Sequence, residues 1–166
     1  MSCDSSLRPI LQQLADALQQ RGWMLATAES CTGGMIAAAC TDLPGSSNWF
    51  DRGFVTYSNT AKTEMLGVPA ALIAEHGAVS EAVVRAMAQG AITHSKAQVS
   101  VAVSGVAGPG GGTPEKPVGT VWVGWCVNGA LHAQLLALQG DRAIIRTQAT
   151  EWTLRQILQS IADTAM

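Results

Sequence analysis

Apolar residues recur at helical spacing near the start of the chain, where Leu7, Ile10, Leu11, Leu14 and Leu18 alternate with glutamines and Asp16 before Gly22. This pattern predicts an amphipathic helix over residues 7–20. Residues 23–28 are short, apolar and bounded by glycines, as a buried strand is, and residues 35–40 return to helical composition. Residues 53–57, rich in β-branched and aromatic side chains, predict a second strand. Ser58 or Asn59 then caps a helix that Gly67-Val68-Pro69 ends. A short helix over 70–75 precedes a longer one opened by Ser80-Glu81, with Val83, Val84, Met87 and Ile92 as its apolar stripe. Residues 98–104 alternate around Val99, Val101 and Val103 and predict a third strand. Residues 120–127 and 131–138 flank Asn128-Gly129, a strong hairpin signal, and Asp141 caps a last helix to about Ile161.

Helix-linked strands followed by one hairpin predict an α/β chain with a mostly parallel mixed sheet, one strand antiparallel, and helices on both faces. At 166 residues the chain suits a single domain with one core. Ligands in such sheets collect at the carboxyl ends of the parallel strands. Here those ends carry Glu29-Ser30, Tyr57-Ser58 and Ser104-Gly105.

Composition narrows the function classes. Apolar residues make up 48% of the chain and charged residues 13%, which predicts an unusually apolar surface and a homo-oligomer. A net charge of −2 without clustered Lys or Arg argues against nucleic acid as a partner. Apolar runs are too short to span a membrane and no leader-like segment opens the chain, so a soluble cytoplasmic protein is expected. Cys3, Cys31, Cys40 and Cys126 show no paired spacing with one another or with His76, His94 and His132. No metal and no cofactor are expected. Cys3, Cys40 and Cys126 read as buried hydrophobes, the histidines as structural, and the tryptophans as core or interface residues, with Trp49 in a loop where it offers a flat face to a ring.

The segment Ala28-Glu29-Ser30-Cys31-Thr32-Gly33-Gly34 runs from a strand-like into a helix-like stretch, where a nucleophile is well placed. The amides of Cys31, Thr32, Gly33 and Gly34 are candidates to hold a developing oxyanion. A serine hydroxyl needs a base, and Lys62, early in the helix after the second strand, becomes one if burial and the helix dipole hold it neutral. Tyr57 is a candidate to relay the proton or to donate to the intermediate. Cys31 stands as a rival nucleophile, because thiols are intrinsically the more reactive. Residues 105–117 hold five glycines and three prolines, a loop whose amides at Gly105 and Gly108 suit a substrate clasp beside Ser104, although it matches neither a P-loop nor GxGxxG. Ser46, Ser47 and Arg142 are candidate anion contacts; each also reads as an ordinary surface group.

Thr27 to Gly34, Pro44-Gly45-Ser46-Ser47, Gly53 to Asn59 with Lys62, His76 to Ser80, Ser104 to Pro109, Lys116 to Val121 and Gly140-Asp141-Arg142 occur in that order along the chain. In this series the sequence resembles the CinA C-terminal domain family over residues 7–160. The resemblance implies a three-layer α/β/α sandwich without a metal. For a stand-alone chain it implies a nicotinamide-nucleotide amidase, which converts nicotinamide mononucleotide (NMN) to nicotinic acid mononucleotide and ammonia. It also implies Ser30 as nucleophile, Lys62 as base and Tyr57 as the family's tyrosine. Two other readings stay open: a non-catalytic nucleotide-binding or regulatory domain, and an amidase for another small amide.

Overall fold

The computed structural model describes residues 6–166, so Cys3 lies outside the described residues. The chain forms α1 (Arg8–Arg21), β1 (Leu25–Glu29), α2 (Met35–Thr41), a 3-10 turn (Ser46–Asn48) and β2 (Phe50–Val55). Then come α3 (Asn59–Leu66), α4 (Ala70–His76), α5 (Glu81–Thr93), β3 (Val99–Gly105), β4 (Thr120–Val127), β5 (Ala130–Ala137) and α6 (Arg142–Ala162). Among these no helix is long and apolar enough to cross a membrane.

Two strand boundaries differ from the pattern, each for a local reason. Gly22 takes a left-handed conformation at φ 65°, and the amides of Gly22 and Trp23 close α1 on the carbonyls of Gln19 and Leu18. Trp23 therefore belongs to the helix stop, and β1 begins at Leu25. β2 starts at Phe50 and ends before Tyr57 because the register slips between Leu25 and Ala26, leaving Asp51 as the extra residue of a bulge. The Asp51 carboxylate is held there by Arg52 and by the Lys96 amide. A bulge breaks period-two alternation, so this strand was half hidden.

The strand order is β2-β1-β3-β4-β5, with β1, β2 and β3 parallel and β4 antiparallel to both its neighbours. Leu25, Val99, Val101, Val103, Val121 and Val123 face the layer of α1, α2 and α6; Ala26, Ala28 and Ala102 face α5 and the helices beside it. The result is a three-layer α/β/α arrangement. Trp49 is 1% exposed within the first core, edge-on to Phe50, and so offers no face to a ligand. Cys40 and Cys126 are buried as expected.

The second core is built from small residues, which lets the helices sit close. A Cβ on Gly124 would lie 2.6 Å from the Val84 carbonyl oxygen, and one on Gly90 would lie 2.2 Å from that of Leu66. The Gly90 contact sets α3 against α5 and thereby the depth of every side chain on α3. Gly90→Ala is expected to cost about 2–3 kcal/mol by forcing the helices apart; urea denaturation of the variant measures it.

Connections leave β1 toward β2 on one side and return to β3 on the other, which makes the β1/β3 boundary a topological switch point. Ser30 follows β1, Thr56 and Tyr57 follow β2, and Ser104 and Gly105 end β3. The three distinctive sequence segments therefore share one end of the sheet.

Candidate active site

β1 ends on Glu29, a buried carboxylate whose two oxygens accept the amides of Ile36 (2.9 Å) and Ala37 (3.0 Å). This caps α2 with a charge at its positive end. The Ser30 amide still bonds to Val103, after which the chain turns through Gly33 (φ 59°) and Gly34 (φ 104°), with the Gly33 amide closing on the Ser30 carbonyl. The four amides expected to face an oxyanion are thus reduced: Gly33 is engaged, and the first turn of α2 serves Glu29. Cys31, Thr32 and Gly34 remain as candidates.

Lys62 reaches the same turn from α3. Ser58, one of the two caps the sequence offered, closes that helix by accepting the Ala61 amide, and Lys62 sits one turn in and is 1% exposed. Its Nζ lies 3.1 Å from Ser30 Oγ, 2.9 Å from the Thr56 carbonyl oxygen and 3.3 Å from that of Tyr57. Among the described residues no carboxylate pairs with it. Burial pushes the Lys62 ammonium below the usual lysine range, opposed weakly by Cys31. Two of the neighbours are carbonyls, which only accept. As an ammonium, Nζ donates to Ser30 Oγ, and the Ser30 hydroxyl donates to the Tyr57 carbonyl at 3.5 Å. Once the amine is neutral its two N–H groups suffice for Thr56 and Tyr57, and its lone pair is free to turn to the Ser30 hydroxyl.

Cys31 has the opposite character. It is buried, and desolvation pushes its thiol up to about 11, against the pull of Arg146. At neutral pH it is a thiol, without the thiolate that nucleophilic attack requires.

Around Ser30, which is 8% exposed, lies a cleft of about 250 Å³. It gathers Ser30, Cys31, Tyr57, Lys62, Ser104, Gly105 and Arg142, all singled out from the sequence, and adds Asn59, Ala78, Val79 and Ala107. Ser104 is buried and spends its hydroxyl on the Ala78 carbonyl (2.8 Å), which holds the loop before α5 in the cleft wall. Tyr57 has its carbonyl on Lys62 while its ring, 62% exposed, accepts a hydrogen bond at the hydroxyl from Arg142 (3.2 Å). Arg142 also donates to the Gly108 carbonyl at 2.8 Å, so Gly108 contributes an acceptor and joins the glycine loop to α6. A larger groove of about 430 Å³ between α3 and α4 shares Asn59 and carries Thr60, Thr63 and Glu64, but no paired hydroxyl and amine like Ser30 and Lys62 lines it. Chemistry, not size, singles out the smaller cleft.

Ser46 and Ser47 do not join this cleft within the chain. They form the 3-10 turn that leads into β2, beside Trp49, whose carbonyl accepts the amide of Leu25 at the start of β1. That is the opposite end of the parallel strands, roughly 15–20 Å away at about 3.3 Å per residue. Glu29, Asn59 and Arg146 were missed. Arg146 donates from Nε to the Cys31 carbonyl (2.9 Å) and from Nη2 to that of Thr32 (3.3 Å). Its signal was its place four residues after Arg142, on the same helix face. The signal for Glu29 was a lone carboxylate in an otherwise uncharged strand.

Residues 7–161 match the CinA C-terminal domain. The chain belongs to the CinA C-terminal domain family. It is 49% identical over 157 residues to the nicotinamide-nucleotide amidohydrolase PncC of Escherichia coli K12, covering 94% of this chain and 95% of that one. The Pseudomonas putida protein of the same name is 50% identical over 147 residues, covering 89% and 92%. A CinA-like protein of Akkermansia muciniphila is 52% identical over 144 residues, 86% of this chain but 35% of that longer protein. Among solved structures, the competence/damage inducible protein CihA of Agrobacterium tumefaciens superposes with a TM-score of 0.93 at 40% identity, covering 98% of this chain and all of that one. This CinA-family chain therefore matches stand-alone relatives along nearly their full length.

Proposed function

We propose that the protein is an amidohydrolase that converts NMN to nicotinic acid mononucleotide and ammonia, with Ser30 as nucleophile and Lys62 as general base. The reading rests on one observation above all: a buried lysine amine 3.1 Å from a serine hydroxyl, with the Thr56 and Tyr57 carbonyls within hydrogen-bond reach of the same amine. The names of the stand-alone relatives supply the substrate.

In this mechanism Ser30 Oγ attacks the carboxamide carbon and its proton passes to Lys62 Nζ. The carboxamide oxygen becomes an oxyanion held by amides among Cys31, Thr32 and Gly34, which lie in place before the reaction begins. Lys62 then returns the proton to the amide nitrogen, the C–N bond breaks, and ammonia leaves an acyl ester on Ser30. Water, deprotonated by Lys62, releases the acid. Tyr57 offers its exposed ring as a flat wall for the pyridine, and Arg142 at the N-terminus of α6 offers its charge to the nucleotide phosphate.

The test is ammonia release by the purified protein from NMN, nicotinamide riboside and benzamide. Turnover of NMN with little of the other two supports the proposal. Equal turnover of benzamide would indicate a general small-amide hydrolase, and no turnover of any would favour a binding domain. Arg142→Ala is expected to raise KM for NMN roughly 10–100-fold while kcat changes only a few-fold, because phosphate binding is shared by ground and transition states. Steady-state kinetics separates the two parameters.

A further inference from the structure

We propose that Arg146 is the positioning residue of the nucleophile turn: its guanidinium pins the two peptide groups after Ser30 and aims the Thr32 amide for the oxyanion. The inference rests on the reading of Ser30 as nucleophile and deepens it.

One planar group engages two consecutive carbonyls, Cys31 through Nε and Thr32 through Nη2. A fork of this kind fixes both peptide planes at once, which a point charge does not. The peptides are trans, so each amide points opposite to its own carbonyl. With the Cys31 carbonyl drawn to α6, the Thr32 N–H is directed away from Arg146, and the charge on that carbonyl polarises the peptide so that its N–H becomes a stronger donor. The next amide, on Gly33, is spent on the Ser30 carbonyl and locks the turn from the other side.

Space and charge agree with this role. Gly33 is left-handed, and a Cβ there would lie 3.3 Å from Arg146 Nη2, so the guanidinium lies directly against the turn. Among the described residues no carboxylate pairs with Arg146. Its side-chain hydrogen bonds among the described residues go to the turn, whereas the surface arginines Arg85 and Arg155 each pair with a glutamate one turn away.

The experiment compares Arg146→Ala and Arg146→Lys with the unaltered chain, in NMN turnover across pH and in the labelling of Ser30 by a fluorophosphonate. In labelling, Ser30 Oγ forms a bond to phosphorus, the P–F bond breaks with fluoride leaving, and the serine proton goes to Lys62. Arg146→Ala is expected to lower kcat roughly 30-fold with KM within about 2-fold, with the pH of the lysine-controlled limb unmoved, because orientation rather than the base is lost. Labelling should slow in parallel. Guanidinium ion added to Arg146→Ala should restore part of the rate, and Arg146→Lys should recover less than a full fork. Unchanged kcat, a loss confined to KM, or a loss that tracks a lowered Tm would overturn the proposal. If the unaltered chain releases no ammonia from NMN, the substrate assignment fails, and labelling decides on Arg146: slower in the variant upholds its role, equal rates or no labelling of the unaltered chain overturns it.

Discussion

Ser30→Ala is expected to lower the rate of ammonia release from NMN by about 10⁴-fold or more, while the protein stays folded and still binds NMN. The side chain occupies little volume and its hydroxyl is bonded to Lys62, so the change removes the attacking atom and little else. Cys31→Ala supplies the contrast. The thiol next door is buried and held protonated, and its loss should leave kcat within a few-fold. Ammonia assays on both variants, with circular dichroism to verify folding, decide the nucleophile. Full activity in Ser30→Ala with none in Cys31→Ala would reverse the assignment.

Lys62→Met should reduce kcat roughly 10²–10⁴-fold, the range for loss of a positioned base. Combined with Ser30→Ala it should add almost nothing, because nucleophile and base act as a unit. The same substitution has a stability signature of defined sign. Lys62 has a lowered proton affinity in the folded chain and an ordinary one, near 10.5, in the unfolded chain. Between those two values the unfolded chain binds more protons, so stability rises with pH across that window. Below it both states are charged and the whole cost of burying the ammonium is present. Lys62→Met, of similar length and uncharged, should therefore be more stable than the unaltered protein at neutral pH and lose the alkaline rise. Urea titrations at pH 7 and pH 9.5 measure both effects. In the unaltered enzyme kcat/KM should climb to a plateau as Lys62 loses its proton, with a midpoint below the ordinary lysine range.

Local grammar was readable wherever neighbours in the chain decide the outcome. Ser58, Ser80 and Asp141 each accept an amide three residues on, as capping residues do, and Asn128-Gly129 turns β4 into β5 with positive φ at both positions. The β2 boundary was not readable, because a bulge is fixed by the partner strand and not by the bulged segment's own pattern. Glu29 was overlooked for a related reason. Its carboxylate serves amides seven and eight residues away, beyond the reach of a cap motif.

The series of motifs along the chain was enough to assign the family and to name Ser30, Lys62 and Arg142 as residues of interest. Residue order alone does not contain the distances among them. Ser30 and Lys62 meet across 32 positions, and Arg146 grips the Cys31 carbonyl across 115. Those contacts depend on the β2-β1-β3 order and on α3 and α6 lying against the same end of the sheet. Folding also buries the Lys62 amine and parts Ser46 and Ser47 from the cleft, although all three are polar positions in polar surroundings when read in one dimension. Caps, turns and periodicity are short-range properties of the backbone, legible residue by residue. Burial and proton affinity are set by atoms that only the packed chain brings together.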